Sequence, residues 1–142
     1  MLIKNIAEDA YSESDIIGNT FSVFQSVNKI FYLIYSNKNN SIISYDIVNN
    51  KKLNEIKNAH EKIIINFKHY FYENKRRDLL MSTSINNVKI WDPKKFECLL
   101  NIKKEYSHTY FTTACFYEFS ENEIYIITGS VPMNVYDLNG KK

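Results

Sequence analysis

Three aromatic–aspartate pairs punctuate the chain at nearly equal intervals: Tyr45-Asp46, Trp91-Asp92 and Tyr136-Asp137. The second follows the first by 46 residues, and the third follows the second by 45. Each closes a short run containing apolar residues: Ser41-Ile42-Ile43-Ser44, Val88-Lys89-Ile90 and Met133-Asn134-Val135. Each opens a turn rich in Asn, Lys, Pro or Gly: Val48-Asn49-Asn50-Lys51, Pro93-Lys94-Lys95 and Asn139-Gly140-Lys141. A period of this size means stacked units, because one such unit is too small to bury its own apolar face.

The second unit sets the pattern. Ile63 to Phe67 reads as a strand, and the polar stretch Glu73 to Asp78 interrupts it. Leu79 to Ser84, Val88 to Trp91 and Glu97 to Ile102 supply three more strands. Asn86-Asn87 provides the turn between two of them, since Asn tolerates the left-handed backbone that tight hairpins need. The first unit aligns with strands at Phe21 to Gln25, Ile30 to Tyr35, Ile42 to Tyr45 and Leu53 to Ile56. The third gives Phe111 to Tyr117, Ile124 to Thr128 and Met133 to Tyr136, without a fourth. Four short strands per period is the pattern of a propeller blade. The expected fold is therefore all-β: a partial β-propeller of about three four-stranded antiparallel blades, the last incomplete. The blades fall at about 19–58, 59–103 and 104–142, within a repeat region 19–142 that follows an N-terminal extension, 1–18.

Composition agrees and narrows the function. Aromatic residues make up 15% of the chain, with few Gly or Pro, which favours strands. The net charge of +2 is too small to imply nucleic-acid or anionic-membrane binding, and the lysine pairs sit beside turn residues instead of forming a stripe. No apolar run approaches the ~20 residues of a membrane helix, and Met1 to Ala10 carries Lys4, Glu8 and Asp9 where a secretory signal would be apolar. Cys98 and Cys115 lack metal-binding spacing and lie in apolar runs, which predicts buried free thiols in a reducing compartment. A cytoplasmic location is expected, with the nucleus as the other possibility.

The stretch Met81 to Asp92, reading MSTSINNVKIWD, resembles the signature of the WD-repeat family, and Ala59-His60 is similar to its Gly-His pair. The resemblance covers most of the chain after about residue 20. It implies a hydrogen-bonded cluster of a His, a strand Ser or Thr, a turn Asp and the Trp. His60, Ser82 or Ser84, and Trp91 take three of those places, while Ile85 stands where the Asp would be, so an incomplete cluster is expected. Asp92 completes the aromatic–Asp pair, and Tyr45-Asp46 and Tyr136-Asp137 are the counterparts in the other units. Each missing hydrogen bond would weaken its blade by roughly 0.5–1.5 kcal/mol. The resemblance also places partner binding on rim loops near His60, Asn86, Asn87 and His108.

Signals for catalysis are missing from the sequence. There is no HExxH, GxSxG, glycine-rich phosphate loop or paired-cysteine motif, and the three repeating aspartates recur by architecture. His69 sits among aromatics as a surface or wedged imidazole. Lys75-Arg76-Arg77 is flanked by Glu73 and Asp78, as befits a solvated insertion, and Tyr70-Phe71-Tyr72 fits core and edge packing. No catalytic residue, cofactor or metal is expected. The expectation is a non-enzymatic protein-interaction scaffold, whose partners are other proteins or further blades. Since propellers close with about four to eight blades, three units imply a fragment of a longer propeller without independent function, or copies that self-associate into a ring.

Overall fold

The computed structural model describes residues 20–104, 108–121 and 123–142. The proposed extension at 1–18 lies outside them. Eleven strands form three antiparallel sheets. The first sheet is β1 (Phe21–Gln25), β2 (Phe31–Ser36), β3 (Ile42–Asp46) and β4 (Lys51–Ile56), in chain order. The second is β5 (Ile64–Tyr72), β6 (Arg77–Ser84), β7 (Asn87–Asp92) and β8 (Glu97–Lys103), again in order. The third has three strands, β9 (Thr113–Ser120), β10 (Glu123–Gly129) and β11 (Asn134–Asp137). These are blade-like meanders, and among the described residues they do not close into a ring.

Strand alternation puts the second sheet between the other two. On β6, Leu80 belongs to a core with Phe24, Tyr32, Ile34 and Ile42 of the first sheet, together with Ile64, Phe67 and Trp91. Its neighbours Leu79 and Met81 point the other way, into a core with Phe111, Ala114, Ile124, Ile126 and Tyr136. Successive side chains face opposite sides of a sheet, so β6 serves both cores. The first strands β1, β5 and β9 lie side by side where the sheets converge. That convergence is how blades of a propeller are arranged.

The aspartate of each repeating pair builds the turn that follows it. Asp46 Oδ1 accepts the N–H groups of Val48 and Asn49, each at 3.0 Å. Asp92 Oδ1 takes those of Lys94 and Lys95 at 2.9 and 3.0 Å. Asp137 Oδ1 takes those of Asn139 and Lys141 at 2.9 and 2.7 Å. Each turn then passes through a left-handed residue: Asn50, Phe96 and Gly140. Gly140 suits this at no steric cost, whereas Phe96 at φ 58° carries the strain of a Cβ in that region.

Several expectations need correction. Neither Asn86 nor Asn87 has a positive φ; the left-handed asparagines are Asn40, Asn50 and Asn58. The β6–β7 turn is so short that Asn87 already lies in strand pairing, opposite Lys103. Both cysteines are exposed, not buried. Cys115 lies in an apolar run but alternates with buried Ala114, so strand alternation turns its thiol away from the core. By contrast, β5 runs through His69 and Tyr70 to Tyr72, as a strand broken by the polar stretch from Glu73 requires, and a single 3-10 turn, Glu73–Lys75, reverses the chain. Asp78 does not offset the neighbouring basic triplet: it is buried and bonded to His69.

Candidate functional site

The second sheet contains a buried polar chain built from four elements. His60, in the loop entering β5, lies with Nδ1 2.6 Å from Asn87 Oδ1 and Nε2 2.6 Å from Ser82 Oγ. Trp91 Nε1 donates to the same Ser82 Oγ at 2.7 Å. Asn87 Nδ2 then donates to Asn101 Oδ1 on β8 at 3.2 Å. The chemistry of the groups fixes the protons. An indole N–H only donates, and an amide oxygen only accepts. His60 therefore carries its proton on Nδ1 for Asn87, and its bare Nε2 accepts the Ser82 hydroxyl proton. Each polar side-chain atom of His60, Asn87, Ser82 and Trp91 has a partner.

Burial keeps this imidazole neutral. Only 3% of His60 is exposed. Loss of hydration pushes its pKa down to about 4, with the bond to Asn87 opposing the shift and the Lys89 ammonium adding to it. Lys89 Nζ binds the Ala59 carbonyl at 2.6 Å and lies 5.5 Å from the centre of the Trp91 ring. The cation thus caps the cluster without entering it. A neutral, desolvated histidine with both nitrogens occupied has no free nitrogen for proton transfer, and its work here is to tie β5's entry loop to β6, β7 and β8.

Sequence reasoning placed His60, Ser82 and Trp91 in one cluster and left the fourth place empty at Ile85. The structure fills it with Asn87, two residues further on. The signal for it in the sequence is a side-chain amide at the start of β7, a residue type that equally suits turn chemistry. Ser84 is not a member: its hydroxyl donates to Asn86 Oδ1 at 3.1 Å within the turn. Asp92 lies at the far end of β7 in its own turn. His60 and Asn87 are both buried, so neither forms part of the exposed rim proposed for partner contact. Of the four residues assigned to that rim, Asn86 is half-buried and His108 is exposed.

The aromatic members of the other two units behave differently. Tyr136 is buried against the second sheet. The Tyr45 hydroxyl bonds Asn50 at the turn following its own strand, toward solvent. Between the first two sheets a second histidine bridges. His69 Nε2 meets Asp78 Oδ1 at 2.8 Å, and its ring stacks flat on Phe24 with centroids 3.8 Å apart. Asp78 Oδ2 also accepts the Val27 N–H of the β1–β2 turn at 3.0 Å. One carboxylate thereby clamps the first sheet to the second.

The rim near the cluster carries exposed apolar side chains. Tyr110, Val131 and Met133 are all largely solvent-facing. Tyr110 and Val131 border a shallow depression with Lys104, Thr109 and Pro132, and Lys104 Nζ lies 5.1 Å from the centre of the Tyr110 ring. Backbone bonds from Lys104 to Asn86 and from Phe111 to Ile85 attach this rim to the β6–β7 turn. Among the described residues no three His, Cys, Asp or Glu side chains gather in a way that could hold a metal ion, and no helix is long and apolar enough to cross a membrane. The sequence matches no protein-family model, and a search of curated proteins finds no match.

Proposed function

We propose that this chain is a non-catalytic protein-interaction module of the WD-repeat class, acting in the cytosol or nucleus. The carrying observation is the buried Asn87–His60–Ser82–Trp91 chain, whose Asn87 end lies beside the β6–β7 turn, which borders a rim completed by Tyr110 and the β10–β11 loop. Such a cluster cross-ties the strands on either side of the β6–β7 turn, and a pre-organised surface loses less conformational freedom on binding. The contact surface is then Asn86, His108, Tyr110, Val131 and Met133, with the apolar members as anchors. Aromatic anchors on pre-organised loops are the usual source of interface affinity. The exposed free thiols favour a reducing compartment, where they are not driven into disulfides.

Paired capture tests the reading. The wild-type chain, a Val131→Asp/Met133→Asp variant and a Lys94→Glu control on the β7–β8 turn are used as baits, and candidate partners are re-tested as purified proteins. A partner that binds wild type and the control but not the rim variant supports the assignment. If every partner that binds wild type also binds the rim variant unchanged, the rim is not the contact surface and the reading fails.

A further inference from the structure

The two outer sheets each present one face to the second sheet and one face to nothing among the described residues. Register reveals what those bare faces are. In each sheet two cross-strand pairs sit at equivalent places, one on each face. The pair containing the repeating aromatic is Leu33–Tyr45, Leu80–Trp91 and Ile126–Tyr136 in the three sheets. The adjacent pair is Ile34–Ser44, Met81–Ile90 and Ile127–Val135.

The aromatic-containing pair always receives the preceding sheet. Leu80–Trp91 is buried against the first sheet, and Ile126–Tyr136 against the second. The adjacent pair always faces the following sheet, as Ile34 packs toward the second and Met81–Ile90 toward the third. By the same rule Leu33–Tyr45 is a receiving face that meets no preceding sheet among the described residues, and Ile127–Val135 is a delivering face that meets no following one among them. Both are apolar. The first carries Phe21 and Val23, 67% and 52% exposed; the second carries Tyr117, Phe119 and Val135, at 51%, 67% and 43%. Phe119 packs edge-on against Tyr125, and Tyr125 pairs with Tyr117, which makes the second patch continuous.

From this equivalence we infer that two copies of the chain associate head to tail, the third sheet of each stacking on the first sheet of the other. The occupant is a second copy because the surface each bare face is shaped to meet is the kind of face found at the other end of the same molecule. The two contacts repeat, between molecules, the two already made within one. Two chains bring six blade-like sheets together, inside the range of about four to eight at which propellers close. Patches of two different kinds meeting in this way give a closed ring when the rotation fits and a filament when it does not. The inference rests on sheet stacking, independent of the rim reading above.

Sedimentation equilibrium of the full 142-residue chain across a wide concentration range tests it. The expected species has twice the 16.8 kDa chain mass. Val23→Glu spoils the receiving face and Val135→Glu the delivering face, and both positions are exposed enough to take a charge without unfolding; far-UV circular dichroism checks this, with Tyr117→Lys as a second delivering-face variant. Either variant alone is expected to sediment as a single chain. Mixed together, they are expected to form a one-to-one pair through the one remaining intact contact. A wild-type chain that stays monomeric, a dimer that survives either substitution, or a mixture of folded variants that forms no pair overturns the inference, as does an open-ended polymer in place of the dimer.

Discussion

The first and second sheets share strand order and turn chemistry, yet they settle their interior polar groups in different ways. In the second, Ser82 Oγ serves both His60 and Trp91. In the first, Ser36 and Ser44 bury hydroxyls that have no hydrogen-bond partner, as Thr83 does once in the second, and the repeating aromatic turns its hydroxyl outward to Asn50. A buried hydroxyl without a partner costs free energy, while one inside a satisfied chain stabilises. The lesson is that the repeat specifies a backbone, and the polar cluster is a separate addition to one unit of it. The second sheet, packed on both faces and cross-tied within, is the stiff centre; its neighbours are the softer flanks.

The sharpest way to break this comparison is to truncate the equivalent aromatics. Trp91→Ala removes a buried ring and takes from Ser82 Oγ the indole N–H it accepts, and it should lower unfolding free energy by about 4 kcal/mol. Tyr45→Ala, on a half-exposed ring, should cost about 1 kcal/mol. Urea titrations followed by tyrosine fluorescence or circular dichroism measure both. Equal losses would mean the two sheets are equally dependent on their aromatics.

Acid distinguishes the sheets next. The folded pKa of His60, about 4, lies below the ordinary value of 6.5 because burial disfavours the charged ring. The unfolded chain therefore binds this proton first as pH falls. The stabilisation is complete above pH 6.5 and is lost progressively down to about pH 4. The full effect is about 3 kcal/mol. Asp46 and Asp137 contribute in a lower window: turn N–H groups hold their carboxyls below the usual range, so their share is lost only as pH falls past ordinary carboxylate values. Urea midpoints measured between pH 7.5 and 4 should drop steeply for the wild type and much less for His60→Gln. Parallel curves would show that His60 is not the group responsible.

The smallest effect separates two serines. Ser82→Ala should cost about 2 kcal/mol, because Trp91 Nε1 and His60 Nε2 both lose their partner. Ser44→Ala should be neutral or stabilise by up to about 1 kcal/mol, because the hydroxyl it removes is unsatisfied. Thermal melts of the two variants side by side decide it. A destabilised Ser44→Ala would mean that the hydroxyl is satisfied after all, and the contrast between the sheets would narrow.

Much of the fold was legible because its signals are local. Apolar runs bounded by Asn and Gly turns located the strands, and the aromatic–Asp period set the units. The candidate site was legible only in part. His60, Ser82 and Trp91 are recognisable from a motif, but Asn87 reads equally as a turn residue, since whether its amide bends a hairpin or enters a cluster depends on where His60 arrives from another loop. The cysteines failed similarly. Cys115 lies among apolar neighbours, yet its side of the strand points away from the core, and alternation counts for more than neighbourhood.

What the sequence determined by itself is the unit: the number of repeats, the strand order within each, and the aspartate turns, all set by contacts between residues close in the chain. The tertiary structure decided which face of each unit is covered. Leu80 and Met81 are neighbours of similar character, and nothing local says that one packs on the first sheet and the other on the third. That choice arises because pleating sends consecutive side chains to opposite faces, and a face becomes core only when another sheet lies against it.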